Sequence, residues 1–397
     1  MISTRARNLS PSETMKITSK AKELKREGKS IISLSAGEPD FKTPAHICDA
    51  AIEAIRDGVH GYTMNPGTVE LREAIVAKLK RDNGLEYGIN QIVASNGAKQ
   101  SIYLTIMAVI GEGDEVIIPS PYWVSYPAMV KLAGGTPVTL KTTIDNNYKL
   151  KPEDLKAAIT DKTKALILCS PSNPTGSMYS EEELKEIAAI LVEHPSIVVI
   201  SDEIYEYISF EEKHVSILQV EPKLQERGVI VNGFSKGFAM TGWRLGYMAG
   251  PAEIASAVGK IQSQETSAPS SISQRAGEAA YKGSLDDVHA MRDAFRERRD
   301  YMVKSLLEIP GLNCFTPSGA FYVFPDCSSY LGRRTPDGTK IETSTDLCIY
   351  LLETHGVAVV PGDAFGEPGG FRISYAVSME ELEEAVRRLK KGFAELT

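Results

Sequence analysis

Seven short apolar runs constrain this chain more than any other feature. They are QIVAS, EVIIP, TPVTL, ALILC, IVVIS, VIVNG and LGYMAG, all between about residues 44 and 250. Each is rich in β-branched residues and nearly free of charge. A strand with one wet face alternates apolar and polar residues. These runs are almost continuously apolar, so both of their faces are buried. Helical stretches separate them, with apolar residues three and four apart, as in VELREAIVAKLK. Strands alternating with helices predict a mostly parallel α/β sheet. Ligands of such sheets bind at the C-terminal ends of the strands. The polar segments SNGAKQ, SPSNPTG, SDEIYE and FSKGF all fall there, which predicts one shared site.

Beyond that region the pattern changes. A helical stretch runs roughly from Ser270 to Leu307. The segments GAFYVFPD, VAVVPGDAF and FRISYAV read as antiparallel strands, and LCIYLLETH and MEELEEAVRRLKKGF as helices. The chain has 397 residues, and a single core stops growing at about 250–300 residues. The expected organisation is a large domain over 44–290 and a smaller α+β domain over 291–397, joined by the N-terminal segment 1–43. A net charge of −8 gives no footing for nucleic acid. No run reaches the ~18 apolar residues of a membrane span, and the first residues lack the apolar stretch of a signal peptide. Five cysteines without CxxC spacing read as free thiols in a reducing cytoplasm. Six histidines without ligand spacing give no reason to expect a metal.

The chemistry centres on Lys236. Most lysines are solvated, but this one follows the buried run Gly228–Asn232 and stands between Phe234 and Phe238. Apolar surroundings favour the neutral amine that attacks an aldehyde. Arg244, beside Trp243 in a Gly-flanked turn, suits an anion. Asp202 either caps a helix or holds a pyridine nitrogen protonated. Tyr205, three residues on, falls on the same side of a helical turn, within reach of a ring oxygen. Asn173 marks a turn in SPSNPTG and offers an amide. Gly97 and Ala98 open a helix whose free N–H groups suit a phosphate. Trp123 either fills the core or lies against an aromatic ring. A P-loop is excluded because Glu23 stands where its first glycine belongs. The remaining inventory is what a phosphorylated pyridine aldehyde requires.

Taken in order, SAGEPDF, PYWVSYP, SPSNPTG, SDEIYE and SKGFAMTGWRLGY resemble the fold-type-I, pyridoxal-phosphate-dependent aminotransferases. The likeness is to the class-I aspartate aminotransferase family, in the bacterial and plant subgroup that includes aspartate/prephenate aminotransferases. It spans nearly the whole chain. It implies a seven-stranded, mostly parallel sheet in a large domain, and amino acids and 2-oxo acids as substrates. It further implies that Lys236 forms the imine link and shuttles the proton, and that Asp202 pairs with the pyridinium. Tyr205 and Asn173 would meet the ring oxygen and Trp123 the ring face. Gly97, Ala98, Ser235 and Arg244 would hold the phosphate, helped by Tyr62 from the other subunit of a homodimer. Arg372 would clamp the substrate's α-carboxylate with help from Gly37. Lys99, with Thr63 nearby, would read a distal carboxylate. One departure is Ser10. Members active on prephenate usually carry a basic or amide residue there, so aspartate transamination ranks first and prephenate second. The alternatives are glutamate/aspartate-prephenate transamination as the main activity, another amino-acid aminotransferase of the same fold, or a different pyridoxal-phosphate reaction such as β-elimination or decarboxylation. A cofactor-bound regulator is disfavoured, because residues 1–40 are too short and too weakly basic for a DNA-binding domain.

Overall fold

The computed structural model describes residues 1–7, 9 and 13–397; Ser10, on which the prephenate expectation turned, lies outside them. The first strand, β1 (Ile32–Ser33), stands apart from the seven apolar runs. These form β2 (Ile92–Ser95), β3 (Glu115–Ser120), β4 (Thr136–Lys141), β5 (Thr163–Cys169), β6 (Val198–Asp202), β7 (Gly228–Gly233) and β8 (Gly246–Ala249). They make one sheet in the order β2-β8-β7-β6-β5-β3-β4. Every pairing is parallel except those of β8, which runs antiparallel to β2 and β7. The link from β7 to β8 contains only the 3₁₀ turn Thr241–Trp243. A parallel return needs a longer crossover, usually an α-helix, so the chain comes back antiparallel and leaves its polar link at the sheet edge.

Every residue of β2, β6, β7 and β8 is buried. The pleat sends alternate side chains to opposite faces. Val198 and Ile200 of β6 pack in one layer with Ile118 and Met248. Val199 packs in the other with Leu168 and Ile230. Burial of one such Val or Ile contributes about 1.5–3 kcal/mol, so sliding β6 by one residue would forfeit several such terms. The helix Val69–Asn83 is fixed at both ends. The Thr68 side chain accepts the Leu71 N–H, and Gly84 closes the C-terminus at φ 64°.

The C-terminal part holds β9 (Tyr322–Val323), β10 (Val357–Ala358), β11 (Val360–Pro361) and β12 (Phe371–Ser374). Strands β11, β12 and β9 form the expected antiparallel sheet. The run VAVVPGDAF departs from expectation. It divides, and its first half, β10, pairs parallel with β1 through Ile32↔Val357. The pairing ties residues 32–33 to the C-terminal part, and Ile17, Ala21, Leu24 and Ile31 pack there with Leu352 and Ala358. The expected helical stretch from Ser270 is likewise two helices, Ser271–Lys282 and Asp286–Leu307. The break falls at Gly283, where a Cβ would stand 2.5 Å from His46 Nε2. The cysteines are free. Among the described residues no helix is long and apolar enough to cross a membrane.

Candidate active site

The C-terminal ends of β2, β3, β5, β6 and β7 open on a cavity of about 360 Å³, within the range of roughly 300–1,000 Å³ usual for small-molecule sites. Of the residues singled out from the sequence, Gly37, Ala98, Lys99, Trp123, Asn173, Asp202, Tyr205, Ser235, Lys236, Arg244 and Arg372 line it. Gly97 adjoins it. Tyr62 and Thr63 do not enter the cavity of their own chain. The Tyr62 side chain is fully exposed, and Thr63 Oγ1 accepts from Gln274 Nε2 at 2.9 Å.

Lys236 reaches inward from the β7–β8 link. Its Nζ donates to the Gly37 carbonyl at 2.5 Å. Burial pushes the amine down to about 8, against the pull of Glu38. Asp202 ends β6 on the Ile200 face. Its carboxylate accepts from Tyr126 Oη at 2.6 Å and from the Ile204 N–H at 3.3 Å. Burial still raises it to about 6. A carboxylate held this deep, with two donors and Lys236 acting on it only weakly against burial, is a site prepared for positive charge.

The far side of the cavity suits an anion. Helix Ala98–Val109 starts at Gly97, which has φ 91° and no side chain to cap the first turn. Arg244 bends over it from a left-handed backbone, φ 53°. A Cβ on Gly97 would lie 2.6 Å from Arg244 Nη2, and one on Gly246 would lie 2.2 Å from the Ala98 nitrogen. Both glycines are therefore needed for the helix start to sit under the guanidinium. Lys99 follows, its amine pushed down by burial and then by Arg244, with Nζ 5.1 Å from the Trp123 ring centroid.

Arg372 in β12 forms the third wall. Its Nη1 donates to Asn173 Oδ1 at 2.9 Å and its Nη2 to the Ser35 carbonyl at 2.7 Å. Among the described residues its buried Nε has no partner. The guanidinium is thus held in place with a donor still free, as a carboxylate clamp requires. Cationic clamp, phosphate cradle, buried amine and buried carboxyl fit a phosphorylated pyridine aldehyde together with an amino acid.

Tyr126 and Tyr322 line the cavity but were not singled out from the sequence. Tyr126 lies three residues after Trp123 in a segment already noted, and its helical offset was the available signal. Tyr322 sat in a run read only as a strand. Outside the cavity, Glu203, Glu206 and His214 gather within 4.8 Å of one another. Lys78 forms a buried ion pair with Glu206 there, so this group already contains a cation of its own.

Comparison with known proteins places these features in a family. Residues 29–389 match the model of aminotransferase class I and II. A Petunia hybrida protein named bifunctional aspartate aminotransferase and glutamate/aspartate-prephenate aminotransferase is 52% identical, over 98% of this chain and 82% of its own. An aspartate aminotransferase of Bacillus subtilis is 47% identical, over 96% of both. The solved aspartate aminotransferase of Rhizobium meliloti superposes with a TM-score of 0.97 at 45% identity, covering 100% of both chains. That of Thermus thermophilus, with maleate, gives 0.92 at 41% identity over 99% of each. The fold is pyridoxal 5′-phosphate-dependent. With a family model spanning nine-tenths of its length and relatives at half identity, the chain belongs to the class I and II aminotransferases.

Proposed function

We propose that this enzyme transfers the amino group between aspartate and 2-oxoglutarate, giving oxaloacetate and glutamate, in the cytoplasm and as a homodimer. Prephenate is the second acceptor, a reading favoured by the names of the Petunia relative and of a Nitrosomonas europaea relative. The observation that carries the reading is the buried, low-pKa amine of Lys236 sharing one cavity with Asp202 and Arg372.

Bound in the cavity, pyridoxal phosphate supplies an aldehyde carbon and a protonated ring that withdraws electrons from the substrate's Cα–H bond. Asp202 would hold the proton on the ring nitrogen, and that cation would keep the carboxylate ionised against the upward push of burial. Arg244, Ser235 and the N–H groups at Gly97 and Ala98 would hold the phosphate. Trp123 would cover the ring, and Tyr205 and Asn173 would meet its oxygen. Arg372, with Gly37 and Asn173, orients the α-carboxylate. Lys236 Nζ takes the α-proton and returns it, which needs an amine that is neutral near pH 7–8. Lys99 and Thr63 read the distal carboxylate of a dicarboxylic substrate. Tyr62 serves the neighbouring subunit's phosphate. Closure of segments 1–43 and 291–397 over the substrate excludes water.

Lys236→Ala is expected to abolish the cofactor's visible absorbance and turnover; normal turnover would refute the assignment. Lys99→Met is expected to raise KM for aspartate and 2-oxoglutarate by about tenfold, the loss of roughly 1.4 kcal/mol of charge pairing. Unchanged kinetics would free Lys99 of that role. Assay with prephenate plus glutamate or aspartate decides the second acceptor.

A further inference from the structure

Tyr322, at the start of β9, is fully buried and faces several cavity groups at once. Its Oη lies 2.9 Å from Tyr205 Oη. The Arg372 guanidinium carbon lies 4.5 Å from its ring centroid. Gly37 passes so close that a Cβ there would stand 3.0 Å from the hydroxyl. One of the two phenols must donate to the other, and which one decides where the second proton points. If Tyr205 donates to Tyr322, it turns a lone pair to the cavity. If it accepts, its own proton is left for the cavity.

The surroundings favour the second arrangement. A cation over a phenol ring draws charge from it and makes its O–H the better donor. Arg372 sits over the Tyr322 ring. The charged and titratable groups around Tyr322 are Arg372 from β12, Tyr205 from the turn after β6, Cys169 from the end of β5 and Glu38 from the N-terminal segment. Lys236 Nζ lies over the Tyr205 ring, but at 6.0 Å from its centroid against 4.5 Å for Arg372 over Tyr322, so the nearer cation acts on Tyr322. Burial raises both phenols, and Arg372 is the main influence opposing this at Tyr322 but only the least of the named influences at Tyr205.

We propose that Tyr322 donates its hydroxyl proton to Tyr205 and thereby directs the Tyr205 proton into the cavity, acting as a positioning residue for the chemistry at Lys236. The inference rests on the function proposed above. A proton presented by Tyr205 stabilises negative charge on the oxygen it faces, and so lowers the affinity of the nearby Lys236 nitrogen for its own proton. Chained hydrogen bonds strengthen one another, so the Tyr322 hydroxyl makes Tyr205 the stronger donor. The other charges around Lys236, namely Glu38, Arg372, Arg244 and Asp202, stay in place when that hydroxyl is removed.

The test is a spectrophotometric pH titration of the holoenzyme's visible band. Tyr322→Phe keeps the ring over Arg372 and removes only the hydroxyl. Its midpoint is expected to move up by about 0.3–1 pH unit, with kcat/KM lowered. A midpoint that stays put, or moves down because Tyr205 has been released from donating to Tyr322, overturns the proposal. Tyr205→Phe provides the second arm. Adding Tyr322→Phe to it should shift the midpoint no further, and a further shift shows that Tyr322 does not act through Tyr205. A wild-type protein that forms no visible band with pyridoxal phosphate would sink the functional reading instead, which separates the two failures.

Discussion

At the scale of single residues, the site is built from side chains whose solvation has been taken away and only partly replaced. Lys236 loses water and gains one carbonyl, that of Gly37. The charged form suffers most from that exchange, so its amine falls from the usual lysine value to about 8. The sign gives a test in the apoenzyme. A depressed amine is neutral above about pH 8, whereas an ordinary lysine stays charged to about 10.5. The rate of reconstitution with pyridoxal phosphate, followed by absorbance, is therefore expected to rise with pH and level off just above 8. A rise continuing toward 10 would show that Lys236 is solvated. The residues legible from the sequence, Lys236, Asp202, Asn173 and Gly97, each stand within four residues of the end of an apolar run, so strand position aimed them at one edge. Tyr322 lies 117 residues from Tyr205, and no local spacing announces that contact.

At the scale of elements, β6 explains why SDEIYE carries two kinds of acid. Alternation sends Asp202 to the cavity and Glu203 to the opposite face. There Glu203 Oε1 accepts from Ser201 Oγ at 2.9 Å and from Ser216 Oγ at 2.6 Å. Burial pushes Glu203 up to about 7 and His214 down to about 4, so His214 carries no charge near neutral pH. Glu206 meets Lys78, whose ammonium also donates to Asn83 Oδ1 at 2.8 Å. The C-terminal end of helix Val69–Asn83 is thus tied to the turn that carries Asp202 and Tyr205. Lys78→Met would strand the Glu206 carboxylate, and a loss of about 3–5 kcal/mol is expected in denaturant unfolding. Lys78→Met with Glu206→Leu should recover most of it, since an apolar pair of similar volume removes the stranded charge. Equal losses in the single and double variants would contradict this account.

At the scale of the whole molecule, Tyr62 and Thr63 have no place in their own chain's cavity, although the other sequence-derived residues meet there or adjoin it. Ile52, Ile55, Tyr62, Met64 and Val69 are large apolar side chains left exposed within one stretch of chain. On the proposed dimer, each cavity takes Lys236 from one subunit and Tyr62 from the other. Hybrids of Lys236→Ala with Tyr62→Phe subunits are then expected to regain one intact site per dimer, about half the wild-type activity per dimer. Hybrids no more active than the parents' average would mean that each subunit works alone. The amino-acid sequence by itself determined the layers, the strand edge and most of the chemistry, because burial periodicity and the residues just after each strand are local properties. Tertiary structure alone decided the pairing of β1 with β10, the break at Gly283, and the contacts of Tyr126 and Tyr322. These depend on which distant backbones approach closely enough to share a hydrogen bond, or to leave no room for a Cβ, and one-dimensional spacing does not encode that proximity.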